Sequence, residues 1–131
     1  MYVVSAPPRV VACRISDPPA RVVGLSGEHD VSTAADVERA LAVADATGDP
    51  VVVDLRHATF ADSAILGTII RASKHAGRRG FAVVMPPPGE VARLFDLVDA
   101  RSVLVTFSTL RTAVEWCYPR LEAPARATPA E

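Results

Sequence analysis

Asp62 and Ser63 stand where a short loop gives way to helical period, with Leu66, Ile69, Ile70 and Ser73 following at i, i+3, i+4 and i+7. An aspartate in that place is a good N-cap, because its carboxylate can accept a backbone N–H of the first turn. Ser63 then takes the first helical position. Leu66, Ile69 and Ile70 claim the inward face, so the Ser63 hydroxyl points toward solvent. Two readings follow from these residues alone. Ser63 is either a simple helix-start residue or a hydroxyl that a kinase can reach. A phosphate there would be tolerated, since free N–H groups and the helix dipole favour an anion at a helix N-terminus.

Other chemistries find no support. No glycine-rich loop follows a strand with phosphate-binding spacing. His29, His57 and His75 fall in three different contexts and match no metal-ligand spacing. Cys13 and Cys117 are far apart, fit no metal pattern, and read as small buried thiols of a reducing compartment. Asp62-Ser63-Ala64 is not a nucleophile elbow of the G-x-S-x-G type. Asp54 ends a strand, as a phospho-accepting aspartate would. The acidic pair and the lysine such a site needs are not in place, since Ser16-Asp17-Pro18-Pro19 is no such pair and Lys74 lies elsewhere. No catalytic residue, metal ligand or cofactor is expected, and the chain is read as a binding protein rather than an enzyme.

The elements that position Asp62 and Ser63 follow from periodicity. Arg9 to Ser16 alternates, with Val11, Cys13 and Ile15 on one side, and reads as a strand. Asp17-Pro18-Pro19-Ala20 is a turn, and Arg21 to Ser26 a second strand antiparallel to the first. Gly27 to Asp30 is expected as a loop. Val37, Leu41 and Ala44 make a helical stripe, with Asp30, Ser32 and Thr33 as candidate caps. Val51 to Leu55 is a continuous apolar run, the mark of a central parallel strand. A loop from Arg56 to Ala61 then leads to the Asp62–Ser63 helix, which Gly77 to Gly80 ends. Phe81 to Met85 is a further buried strand, Val91, Leu94, Phe95 and Val98 a third helix, and Val103 to Val105 a last strand. Ser108 or Thr109 caps a final helix carrying Leu110, Ala113, Val114, Cys117 and Leu121. The order β-β-α-β-α-β-α-β-α predicts an α/β fold with a mixed, mainly parallel sheet and four helices. The domain is expected over 9–121, after a short N-terminal segment 1–8 and before a disordered tail 122–131 rich in Ala, Pro, Arg and Glu.

Composition narrows the partners. At 131 residues and 50% hydrophobic, the chain is long and apolar enough for one core. A net charge of −1 gives no bulk electrostatic case for nucleic acid or an anionic membrane. The cluster Arg71, Lys74, His75, Arg78 and Arg79 reads as a solvated helix face. The N-terminus lacks the pattern of a secretory signal, and no apolar run approaches the roughly 18–20 residues that span a bilayer. A cytoplasmic protein is expected. One lysine among many arginines, with abundant Ala, Val and Pro, suits a GC-rich bacterial genome.

Val51-Val52-Val53-Asp54-Leu55 followed by Phe60-Ala61-Asp62-Ser63-Ala64-Ile65-Leu66-Gly67 resembles the signature of the STAS domain of bacterial anti-sigma factor antagonists. In that family a strand ending in Asp-Leu runs into Phe-x-Asp-Ser-Ser-Gly-Leu-Gly. Leu25 to Asp30 with Thr33-Ala34, and Val91 to Leu97, extend the likeness, which covers roughly 9–121. The resemblance implies a STAS-like single domain acting by partner switching. The unphosphorylated protein would bind an anti-sigma factor with serine-kinase activity and free a sigma factor. Phosphorylation of Ser63 would release it, and a phosphatase would reverse the step. Asp30, Thr33, Asp62, Ser63, Ala64 and Ile65 would form the partner-binding surface, Asp30 being either an acidic position near the serine or only a helix cap. Two residues depart from the signature. Ala64 replaces the second serine, leaving one hydroxyl to modify. Ile65 replaces a glycine, and either joins the docking surface or fills the core. Two other functions suit the same residues: a STAS interaction module of a stress-sensing or lipid-transport complex, and a small-ligand binder using Asp30, Asp62 and Ser63.

Overall fold

A computed structural model describes residues 7–77 and 80–118. The strands are β1 (Arg9–Ser16), β2 (Pro19–His29), β3 (Val51–Ala61), β4 (Phe81–Val84) and β5 (Val105–Phe107). The helices are α1 (Ala34–Ala46), α2 (Ser63–Ala76), α3 (Glu90–Leu97) and α4 (Leu110–Cys117), with 3-10 turns at Val31–Thr33 and Ala100–Ser102. The element order is the one the periodicity predicts.

The sheet order is β1-β2-β3-β4-β5, with β1 antiparallel to β2 and every later pair parallel. Three successive crossovers of the usual right-handed sense, all stepping the same way, put α1, α2 and α3 on one face. The main core lies under them: Val51, Val53 and Leu55 of β3 meet Val37 and Leu41, Ile65 and Ile69, and Val91 and Phe95. Alternation sends Val22, Val52, Ala82 and Val84 to the opposite face, where Ala113 and Val114 of α4 cover them. Tyr118, just past α4, donates its hydroxyl to the Pro19 carbonyl and ties the helix end to β2. The centre of the sheet is therefore dry on both sides, and Val52 and Val84 are fully buried as expected.

Several boundaries move. The segments Gly27 to His29 and Arg56 to Ala61, expected as loops, are strand and pair with each other through Gly27–Ala58, Glu28–Phe60 and His29–Ala61. Their residues are exposed on one side and lack a continuous apolar run, so only the long-range pairing reveals them. Two register shifts, at Gly24–Ser26 and Gly27–Glu28, bend this extension. The last strand begins at Val105 rather than Val103. The amides of Val103 and Leu104 both bond back to the Ala100 carbonyl, which commits them to the preceding turn. Val98, expected inward on the third helix, lies past its end and is half exposed.

Cys13 is exposed, not buried. It points to the α4 side of the edge strand β1, where its neighbour Val22 is covered but β1 itself lies beyond α4. Cys117 is buried as expected. Arg78, Arg79, Leu121 and the tail 122–131 lie outside the described residues.

Candidate functional site

The parallel strands β2 and β3 end side by side, with His29 opposite Ala61. The chain leaves β2 into the Val31–Thr33 turn and leaves β3 into α2. Asp62 joins the two exits. One carboxylate oxygen, Oδ1, accepts the Ile65 N–H at 3.1 Å and caps α2. The other, Oδ2, accepts the Val31 N–H at 3.1 Å. A single side chain thus satisfies an orphan donor on each element and holds the turn against the helix.

Asp30 caps the turn. Its Oδ1 accepts the Ser32 amide at 2.9 Å and the Ser32 hydroxyl at 2.5 Å. The Ser32 hydroxyl, then the Ser32 amide, hold the Asp30 carboxyl below its ordinary range although it is fully exposed. It is anionic throughout the physiological range. The Thr33 side chain does not cap α1. Its hydroxyl lies 2.9 Å from His29 Nδ1 and 3.1 Å from the Asp30 carbonyl, and its single hydrogen serves one or the other.

His29, which the sequence reading left without a role, is fully buried beneath this turn. Its Nε2 faces two carbonyl oxygens, of Ser26 at 3.0 Å and Arg9 at 3.2 Å. Carbonyls only accept, so Nε2 carries the hydrogen, and in the neutral ring Nδ1 accepts from Thr33. The imidazole pins β1, β2 and the turn together.

Ser63 is the first residue of α2 and is exposed. Ala64 is half-buried, and its carbonyl accepts the Thr68 hydroxyl at 2.9 Å. Thr59 is exposed and Ser73 half-buried. Ile65 corrects an expectation. Its side chain is fully buried in the main core, so it contributes nothing directly to a docking surface. Two apolar residues that the sequence reading missed are exposed nearby. Val31, beside Asp62 through its own amide, is 72% exposed, and Phe60, just before Asp62, is 41% exposed. The only signal for Val31 was one aliphatic residue inside the polar run Asp30–Thr33. The surface therefore carries an exposed hydroxyl, the carboxylates of Glu28, Asp30 and Asp62, and apolar Val31 and Phe60. It can bind a basic surface with apolar depressions, and its hydroxyl can accept a phosphoryl group. Among the described residues no cluster of three His, Cys, Asp or Glu could hold a metal ion, and no helix is long and apolar enough to cross a membrane.

The family model for the "Mlab, STAS domain" matches residues 14–106. No curated protein matches the chain at a significant level. Among solved structures, an anti-sigma factor antagonist from Mycobacterium paratuberculosis is 27% identical, with a TM-score of 0.76 over 87% of this chain and 98% of that one. A Thermotoga maritima protein at 20% identity shares the fold with a TM-score of 0.67, over 82% of this chain and 93% of its own. So does a Shewanella loihica protein of SpoIIAA-like fold, at 14% identity and a TM-score of 0.57, over 88% and 99%. With the family model spanning β1 to β5 and the strand order, helix faces and Asp62–Ser63 junction all in place, the chain belongs to the STAS domain family and is similar in structure to an anti-sigma factor antagonist.

Proposed function

We propose that this protein is a cytoplasmic anti-sigma factor antagonist that acts by partner switching, without catalytic activity of its own. Unphosphorylated, it binds an anti-sigma factor with serine-kinase activity through Asp30, Val31, Thr33, Asp62, Ser63 and Ala64. That partner phosphorylates Ser63 and is released, and a phosphatase resets the switch. The observation that carries the reading is the exposed Ser63 hydroxyl on the first residue of α2, beside a capping carboxylate that is itself tied to the Val31–Thr33 turn.

The physics of release is electrostatic. A phosphate adds about −1.5 to −2 charges. A like charge about 6 Å away costs roughly 3 kcal/mol at an effective dielectric near 20. In the free protein the α2 N-terminus offsets part of this. In the complex the phosphate adds to the Asp30 and Asp62 charges at a desolvated contact. A net loss of about 2–4 kcal/mol is roughly 30- to 1000-fold in affinity.

The test uses a purified anti-sigma factor with serine-kinase activity as the partner. Incubation with it and ATP should place one phosphate on Ser63 by mass spectrometry. Ser63→Ala should bind it and resist release by ATP, and Ser63→Asp should bind weakly. Phosphate on Thr59 or Ser73, or release of Ser63→Ala by ATP at the native rate, would refute the assignment.

A second reading is an interaction module of a stress-sensing or lipid-transport complex, docking a different partner through the same surface. Two observations favour it: the matching family model is that of the Mlab STAS domain, and Ala64 and Ile65 stand where the antagonist signature has serine and glycine. A partner that binds at this surface but lacks kinase activity toward Ser63 would select it.

A further inference from the structure

The space between α1 and α2 has no part in that switch. Both helices follow parallel strands, so they run side by side in the same direction. His75 Nδ1 meets Asp45 Oδ2 at 3.0 Å and fixes their offset. On that offset Arg71 falls level with Leu41, and Thr68 with Glu38. The facing positions are small: Ala42 and Ala46 on α1, and Ala72 on α2. Side chains this short leave a groove of about 470 Å³ floored by Leu41, Thr68 and Phe81. Ligand sites commonly occupy about 300–1,000 Å³ and are mostly apolar with a few placed polar groups.

One cation overhangs the groove. Arg71 Nη2 donates to Thr68 Oγ1 at 3.2 Å, so the guanidinium lies back along α2 toward its N-terminus. It lies close over Gly67, where a Cβ would stand in ordinary contact, 3.4 Å from Nη1. The buried Thr68 hydroxyl already donates to the Ala64 carbonyl and offers Arg71 only a lone pair. A guanidinium has five donors in a planar fork, and Arg71 forms no ion pair with any described residue. Asp45, the acid at the far end of the groove, is engaged by His75.

We propose that the α1–α2 groove binds an amphipathic monoanion, an aliphatic carboxylate. Its chain lies against Leu41, Ala42, Ala72 and Phe81, and its head group takes up the remaining donors of Arg71. Burial of the chain drives binding, and the planar fork matches a carboxylate in a bidentate contact. Glu38 on the opposite rim disfavours a second negative charge, so the head group is a carboxylate rather than a phosphate dianion.

Titration of the full chain with octanoate, octanol and octylammonium, followed by amide NMR shifts, tests this. Octanoate should move the amides of Leu41, Ala42, Ala72 and Phe81 saturably. Octanol should bind at least tenfold more weakly, and octylammonium more weakly still. Arg71→Gln should weaken octanoate about tenfold, about 1.4 kcal/mol, and leave octanol unchanged. Ala42→Trp, at an exposed position, should block both. The proposal is overturned if octanoate leaves these amides unmoved, binds Arg71→Gln as tightly as the native chain, or binds no better than octylammonium. The titration involves no partner, so either result leaves the Ser63 switch standing on its own test.

Discussion

Ser63 and Ile65 are two residues apart on α2 and face opposite ways, because two helical steps turn a side chain by about 200°. Ser63 meets solvent, and Ile65 is fully buried among β-sheet and helix side chains. The family signature has glycine where this chain has Ile65, and a glycine there would let a partner approach closely. Here the isoleucine fills core space instead. Its removal should therefore act on stability first. Ile65→Ala should cost about 2–5 kcal/mol, as large-to-small changes in packed cores do. Ile65→Asp should cost more, because it buries an unpaired carboxylate. Ser63→Ala should stay within about 0.5 kcal/mol, as exposed changes usually do. Urea unfolding of the three variants measures this. If Ile65→Asp unfolds at the native midpoint, the buried position of Ile65 is wrong and the residue returns to the docking surface.

At the scale of elements, the site depends on one carboxylate bridging a turn and a helix. Asp62→Ala removes the acceptor for both the Val31 and the Ile65 amides. Loss of an N-cap alone costs about 0.5–2 kcal/mol. The more specific consequence is local. Amide exchange at Val31 should accelerate in Asp62→Ala, while protection in β3 and β4 falls only with global stability. Unchanged protection at Val31 would mean that Asp30, His29 and Thr33 hold the turn without Asp62. Half of this junction was legible in the sequence. The cap at Asp62 and the stripe Leu66, Ile69 are local patterns, readable from spacing. The bond to Val31 spans 31 residues, and the strand extension that brings Val31 near rests on pairing between Gly27–His29 and Ala58–Ala61. Neither segment shows a clean two-residue alternation, so nothing local announces it. His29 was unreadable for the same reason, since its partners Arg9 and Ser26 come from β1 and β2.

For the whole molecule, the uneven covering of the sheet matters most. Three helices roof one face, but α4 is only eight residues long and packs on β3, β4 and β5. The β1 side of that face stays open, which is why Cys13 and Val11 are exposed although their alternation read as core. Alternation identifies a face, and only the finished packing tells whether anything covers it. At the margin of α4, one cross-sheet row runs Val11, Gly24, Asp54, Val84, Phe107. Asp54 is the charged member of that row, and Arg56 answers it. Asp54 Oδ1 accepts the Arg56 amide at 3.0 Å and Nε at 2.9 Å, and Oδ2 accepts Nη2 at 2.8 Å. Burial pushes the Asp54 carboxyl up, and the Arg56 side-chain bonds, amide bond and charge together outweigh it, leaving it below its ordinary range. A carboxyl with a lowered folded value binds fewer protons folded than unfolded. Its stabilisation is thus present above the unfolded value of about 3.9 and is lost as pH falls through the lower folded value. Asp54→Asn should therefore be less stable than the native chain at pH 7. The gap should be about 1–2 kcal/mol, discounted for solvent because the Arg56 side chain is 40% exposed. It should begin to shrink as pH drops below about 4, where the unfolded carboxyl takes up its proton, and go on shrinking until the native carboxyl is protonated at its lower folded value. Thermal unfolding of both chains from pH 7 to pH 2.5 reads it directly. A gap that stays constant across that range would mean that shape and hydrogen bonding, not charge, hold the Arg56 side chain to Asp54.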